Sequence, residues 1–129
     1  MLLDTAFLID LMSGDEGAVE MARELERDLV QQRLSAMTLF ELYYGITRAA
    51  DSAAEREKVE RVLASKPIHP ADIAVMRKAG RLAGELQNDG SPVGDGDVII
   101  AATANVVEEP VLTRNVNDFE RLGVGIETY

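Results

Sequence analysis

Four acidic residues stand at or just past the ends of apolar runs. Asp4 closes Leu2-Leu3-Asp4, and Glu41 follows the run Arg33 to Met37. Asp97 opens the apolar stretch after Gly94-Asp95-Gly96, and Asp118 comes five residues after Thr113, which closes Val111-Leu112. If those runs are parallel strands, all four carboxylates share one rim. Carboxylates gathered in this way raise one another's pKa, and a divalent cation removes the conflict. Mg²⁺ prefers hard oxygen ligands, keeps several waters and is held by one or two carboxylates together with substrate phosphate. Such an ion lowers the pKa of water and stabilises charge on phosphoryl and leaving oxygens. Phosphodiester hydrolysis is the reaction class this set suits.

Each acid also has an ordinary explanation. Thr38-x-x-Glu41 is a capping-box pattern, which would put Glu41 in the first turn of a helix. Asp97 could serve only the helix dipole, and Asp118 could cap the short Phe119 to Leu122 turn. Asp4 is harder to dismiss, because an acid between an apolar strand and an apolar helix is costly unless it faces a cleft or a counter-ion. Thr113 and Asn115 lie just past a strand end, where a hydroxyl and an amide can hold a phosphate, hold a neighbouring carboxylate or cap a turn. Asp95 reads as part of a turn, and His69 between two prolines as a loop residue. Gly45 and Ala101, four residues after Glu41 and Asp97, are small neighbours that would leave room for a hydrated ion and a phosphate.

The elements that must position these groups alternate. A strand at Leu2 to Thr5 runs into a helix that Ser13-Gly14 stops. Asp15 to about Gln32 is amphipathic, with Val19, Ala22, Leu25 and Leu29 on one face. A second strand at Arg33 to Met37 precedes a helix from Thr38 to about Ala50. Tyr43 and Tyr44 of that helix divide between core and a partner surface. Asp51 to Ser65 is helical, Lys66 to Pro70 extended, and Asp72 to Asn88 helical with Ile73, Met76, Ala79 and Ala83 inward. Asp89 to Gly96 is a loop, and Asp97 to Val107 is a helix apolar almost all round. A third strand at Val111 to Leu112 and an edge strand at Val124 to Thr128 complete the chain. Strands alternating with helices predict an α/β fold with a parallel sheet, whose ligands bind beyond the carboxyl ends of the strands.

Composition narrows the chemistry further. The 129 residues read as one domain, and 47% of them are hydrophobic, enough for an independent core. There is no Cys and one His, which excludes thiolate and multi-histidine metal sites. No run is long enough to span a membrane, and Asp4 and Asp10 stand where a signal peptide needs basic residues, so the cytoplasm is the expected compartment. With 23 acidic and 13 basic residues the net charge is −10, and only three of the basic residues are lysines. Such a surface suits a high-salt cytosol. It also argues against a nucleic-acid binder, since those display a basic footprint.

Four segments together outweigh that objection. Met1 to Thr5, Thr38 to Gly45, Val93 to Ala104 and Leu112 to Phe119 resemble, in order and spacing, the four blocks of the PIN-domain ribonucleases, with VapC-type toxins of toxin–antitoxin pairs the nearest match. The resemblance spans 1–129 as one PIN domain and implies a three-layer α/β/α sandwich on a parallel sheet of four to five strands. It implies Asp4, Glu41 and Asp97 as metal-binding and catalytic acids, Asp118 as the fourth with Asn115 its rival, and Thr113 and Asn115 as supporting groups. It further implies an endoribonuclease dependent on Mg²⁺ or Mn²⁺, a homodimer, and a cognate antitoxin whose arm enters the acidic cleft.

Other phosphate-handling families fit less well. A haloacid-dehalogenase phosphatase needs a second Asp where Ala6 stands, a receiver domain needs a lysine beyond Lys78, and a Toprim site leaves Asp4 unexplained. The remaining alternative is a catalytically silent PIN scaffold that binds a protein partner.

Overall fold

A computed structural model describes residues 1–129. Five short strands alternate with seven helices: β1 (Leu2–Leu3), α1 (Thr5–Met12), α2 (Glu16–Arg27), β2 (Leu34–Ser35), α3 (Ala36–Arg48), α4 (Ser52–Leu63), β3 (Ile68–His69), α5 (Ile73–Asn88), α6 (Asp95–Val107), β4 (Val111–Leu112), α7 (Val116–Arg121) and β5 (Ile126–Glu127). All pairings are parallel. β2 pairs with β3, while β4 lies between β1 and β5. A bridge between Leu2 and Arg33 joins the two groups into the order β3-β2-β1-β4-β5. The strand order reverses between β1 and β4, which is where an open parallel sheet forms its crevice.

Alternation along the strands divides the core in two. Leu2 and Val111 face a cluster with Val75, Ile100, Ala101, Phe119 and Leu122 under α5, α6 and α7. Leu3 and Leu112, one residue on, face Phe7, Leu8, Leu34, Leu42, Ile46 and Val59 under α1 to α4. A period of two sends successive side chains to opposite faces, so a two-residue strand serves both layers. This is the expected α/β/α sandwich with its parallel sheet. No helix is long and apolar enough to cross a membrane.

Several boundaries differ from the sequence reading. Helix α2 ends at Arg27, because Leu29 takes a left-handed backbone (φ 53°) and Val30 N–H turns back to the Leu25 carbonyl at 2.9 Å. Leu29 is consequently 89% exposed rather than inward. Helix α3 begins at Ala36, capped by the Ser35 hydroxyl, which accepts from Met37 N–H at 3.1 Å. Glu41 therefore sits in the second turn, and the capping-box reading of Thr38 and Glu41 fails because Ser35 already fills that role. Helix α6 starts two residues early, at Asp95. In α5 the inward face is Val75, Ala79 and Leu86, while Ile73 and Met76 are exposed.

Candidate active site

Asp4 follows β1 and precedes α1, at the crevice. It is 4% exposed, and its side chain does not cap α1. Instead it accepts from the Thr113 hydroxyl, at the end of β4, at 2.7 Å. Thr113 is fully buried and its oxygen also accepts from Asn115 N–H at 2.9 Å. Parallel pairing makes this contact possible, since the Leu3–Leu112 register leaves Asp4 and Thr113 side by side at the strand ends. Burial pushes the Asp4 carboxyl up, the Thr113 bond opposes it, and the charge of Glu41 adds to the rise.

Glu41 reaches the same place from α3. Its Oε1 lies 2.9 Å from the Thr5 hydroxyl, which itself lies 2.9 Å from the Thr38 hydroxyl. A hydroxyl has one proton to give, so Thr5 donates to the carboxylate and accepts from Thr38. Burial raises the Glu41 pKa against that bond, and Asp97 raises it further. The room beside Glu41 comes from Gly96, where an added Cβ would stand 3.2 Å from Glu41 Oε2 and 3.6 Å from Met37 Cε. Gly45 and Ala101, singled out from spacing, do not play that part: Gly45 faces open space, and Ala101 is packed in the core.

Asp97 enters from the first turn of α6. Asn115 Nδ2 donates to Asp97 Oδ2 at 2.9 Å and to Asp118 Oδ2 at 3.0 Å, bridging two acids from different helices. Burial, followed by the charges of Asp4 and Asp118, pushes Asp97 up to about 6, against the Asn115 bond. Asp118 behaves oppositely. Hydrogen bonds from Asn115 and Arg121 hold it below the usual carboxylate range.

The fold thus brings Asp4, Glu41, Asp97 and Asp118 to one rim with Thr113 and Asn115 between them. Each carboxylate is turned to a hydrogen-bond donor, with Asn115 shared between Asp97 and Asp118, and no three acidic groups stand close enough to share an ion as placed. The like charges turn to these donors, while the rise that Glu41 gives Asp4, that Asp97 gives Glu41, and that Asp4 and Asp118 give Asp97 records that they still face one another. Sequence reasoning missed Thr5, Thr38 and Gly96. Of these only Thr5 carried a signal, its position directly after Asp4. Asp95, in the exposed outer part of the same turn, faces a groove against α5 with Met76 and Gly80. Arg114 is not free beside the site: it pairs with Asp15 at 2.9 Å and Asp10 at 3.4 Å and lies over the Tyr129 ring.

The geometry has close counterparts. The PIN domain profile matches residues 1–125. Ribonuclease VapC19 of Mycobacterium tuberculosis is 33% identical over 118 residues, which cover 92% of this chain and 90% of that protein. The tRNA(fMet)-specific endonuclease VapC of Shigella flexneri is 28% identical over 98% of this chain and 94% of its own length. Among solved structures, DNA-bound VapBC from Salmonella typhimurium superposes with a TM-score of 0.89 at 26% identity, covering 98% of this chain and 96% of that one. A parallel sheet with acids at its switch point, matched along its length by VapC ribonucleases, makes this chain a member of the PIN-domain family, in its VapC group.

Proposed function

We propose that this chain is an endoribonuclease that hydrolyses RNA phosphodiester bonds with a divalent cation, Mg²⁺ or Mn²⁺, and acts as the toxin of a toxin–antitoxin pair. One observation carries the reading most directly. Four carboxylates from separate segments converge on one rim, where burial and the charges of Asp4 and Asp118 push Asp97 up to about 6, a standing electrostatic cost that a protein-binding scaffold has no use for. A cation offsets that cost. The donor set is entirely carboxylate, hydroxyl and amide oxygen, which suits a hard divalent ion and no softer one.

Asp4, Glu41 and Asp97 would hold the cation, with Asp118 as the fourth acid. Asn115 is assigned a positioning role, because its amide nitrogen already donates to both Asp97 and Asp118. Thr113 fixes the Asp4 carboxylate and Thr5 that of Glu41, so that neither rotates away as phosphate enters. When bound, the cation supplies Lewis acidity at the phosphoryl group. Asp118, the most open and most firmly ionised of the four, orients water at the outer edge. In the overall change water adds to phosphorus, the bond to the leaving oxygen breaks, and the water's proton passes to solvent or to that oxygen.

Two partners are assigned: a second copy of this chain as homodimer and, in keeping with the VapBC complex among the solved neighbours, an antitoxin arm drawn to the acidic cleft by charge-assisted bonds from arginine. The test is cleavage of total RNA by purified protein with Mg²⁺, with EDTA, and by Asp4→Asn. Cleavage that EDTA stops and that folded Asp4→Asn lacks is the expected result. Activity indifferent to both changes would overturn the assignment.

A further inference from the structure

Helix α3 carries a second feature that leads away from Glu41. Phe40, its sequence neighbour, is 63% exposed, and Tyr44, one turn on, is 59% exposed. Their rings stack with centroids 6.4 Å apart and an interplanar angle of 22°. One further turn on, the Arg48 guanidinium lies 5.7 Å from the Tyr44 ring centroid. The i, i+4, i+8 spacing lines the three side chains along one helix face, about 6 Å per step. Phe40 and Tyr44 border a groove of about 380 Å³ whose near end is Thr5, Glu41 and Gly96.

The chain has three Phe and three Tyr. Phe7 and Phe119 are fully buried, and Tyr129 packs edge-on against Phe7. All three remaining aromatics lie on this one helix. Phe40 stands largely in water although burying its ring would favour the fold, so folding does not account for its place.

We propose that Phe40, Tyr44 and Arg48 form a stacking rail for the unpaired bases that adjoin the scissile phosphate. The inference rests on the ribonuclease reading above and supplies what that reading lacks, a way for a chain of charge −10 to grip RNA. Stacking is indifferent to net charge and to sequence, because every base has a π face. The rail is continuous with Glu41, so a strand whose phosphate sits among the acids passes directly onto it. Its far end is a cation, complementary to the backbone phosphates of an outgoing strand.

Two measurements decide the matter. The chain has no Trp, so Phe40→Trp introduces a sole indole reporter, placed in the Asp4→Asn background to prevent cleavage. Its fluorescence is titrated with a short unstructured RNA oligonucleotide and with the same RNA annealed to its complement. Quenching by the single strand and not by the duplex is expected; no response to the single strand overturns the rail, whether or not the chain proves to be a nuclease. In the second measurement, Phe40→Ala and Tyr44→Ala each raise KM for the oligonucleotide roughly tenfold with a smaller effect on kcat, and Phe40→Tyr restores it. Unchanged KM in an enzyme that Asp4→Asn inactivates would leave the nuclease standing and remove the rail. If Phe40→Ala weakens only self-association in sedimentation, or only binding of a co-expressed antitoxin, with RNA affinity unchanged, the face is a protein interface and the proposal fails.

Discussion

Asp97 and Thr113 carry the sharpest expectations at the scale of single residues. Asp97 has a folded pKa of about 6, well above the usual carboxylate range, so the fold disfavours its ionised form. That destabilisation is full above about pH 6 and shrinks as pH falls from there to about 4, the ordinary carboxylate value. The cation-free protein should accordingly be more stable to urea near pH 5 than near pH 7.5. The acids with lowered values, Asp118 among them, lose their stabilising effect only at lower pH. Asp97→Asn should remove RNA cleavage yet stabilise the cation-free protein by about 1–2 kcal/mol near pH 7.5, with the gain smaller at about pH 5 and gone only below about pH 4. Thr113→Val keeps the shape but takes away the donor to a buried carboxylate. It should lower cleavage roughly 10–100-fold and destabilise by about 1–3 kcal/mol at neutral pH, read from initial rates and urea unfolding.

Among the elements, α3 and α6 meet at the site, and two glycines on them make opposite predictions. Gly96 leaves Glu41 its place, and a Cβ there would press on Glu41 Oε2 and Met37 Cε. Gly96→Ala should reduce cleavage about tenfold or more by displacing Glu41, with little change in thermal stability. Gly45 faces open space in the interior of α3. Gly45→Ala should stabilise the fold by about 0.5–1 kcal/mol through helix propensity and leave cleavage intact. Spacing on α3 alone nominated Gly45 for Gly96's role. A helical wheel shows which residues are neighbours on one helix, whereas the crowding at Glu41 comes from a second helix that is distant in sequence.

For the molecule as a whole, the four acids come from segments spread from Asp4 to Asp118, so an ion that binds them ties the two halves of the sandwich together. Such an ion would bind the folded chain and not the unfolded one. Mg²⁺ in hundredfold excess over its Kd should therefore add about 2.7 kcal/mol of stability. Differential scanning calorimetry should show Tm rising with Mg²⁺ for the native sequence and not for Asp4→Asn. The charge of −10 also takes a different place at this scale. Arg114, the cation nearest the site in sequence, is held by Asp10, Asp15 and Tyr129, so it does not offset the acids at the rim.

The alternation of apolar runs and amphipathic segments was sufficient for the parallel α/β architecture, and the acids at the run ends were sufficient for Asp4, Glu41, Asp97 and Asp118 as a group. Those features are local, written in periods of two and 3.6 and in where each run stops. Helix ends were less legible, because a left-handed Leu29 and a capping Ser35 are settled by backbone geometry rather than by residue type. Only the tertiary structure could join Thr113 to Asp4, Thr5 to Glu41, and Asn115 to both Asp97 and Asp118. Three of these four hydrogen bonds cross between strands and helices far apart in the chain, and the fourth, Asn115 to Asp118, depends on the turn that opens α7. The parallel register between β1 and β4 is what brings the first of those pairs together, and no spacing along the sequence encodes it.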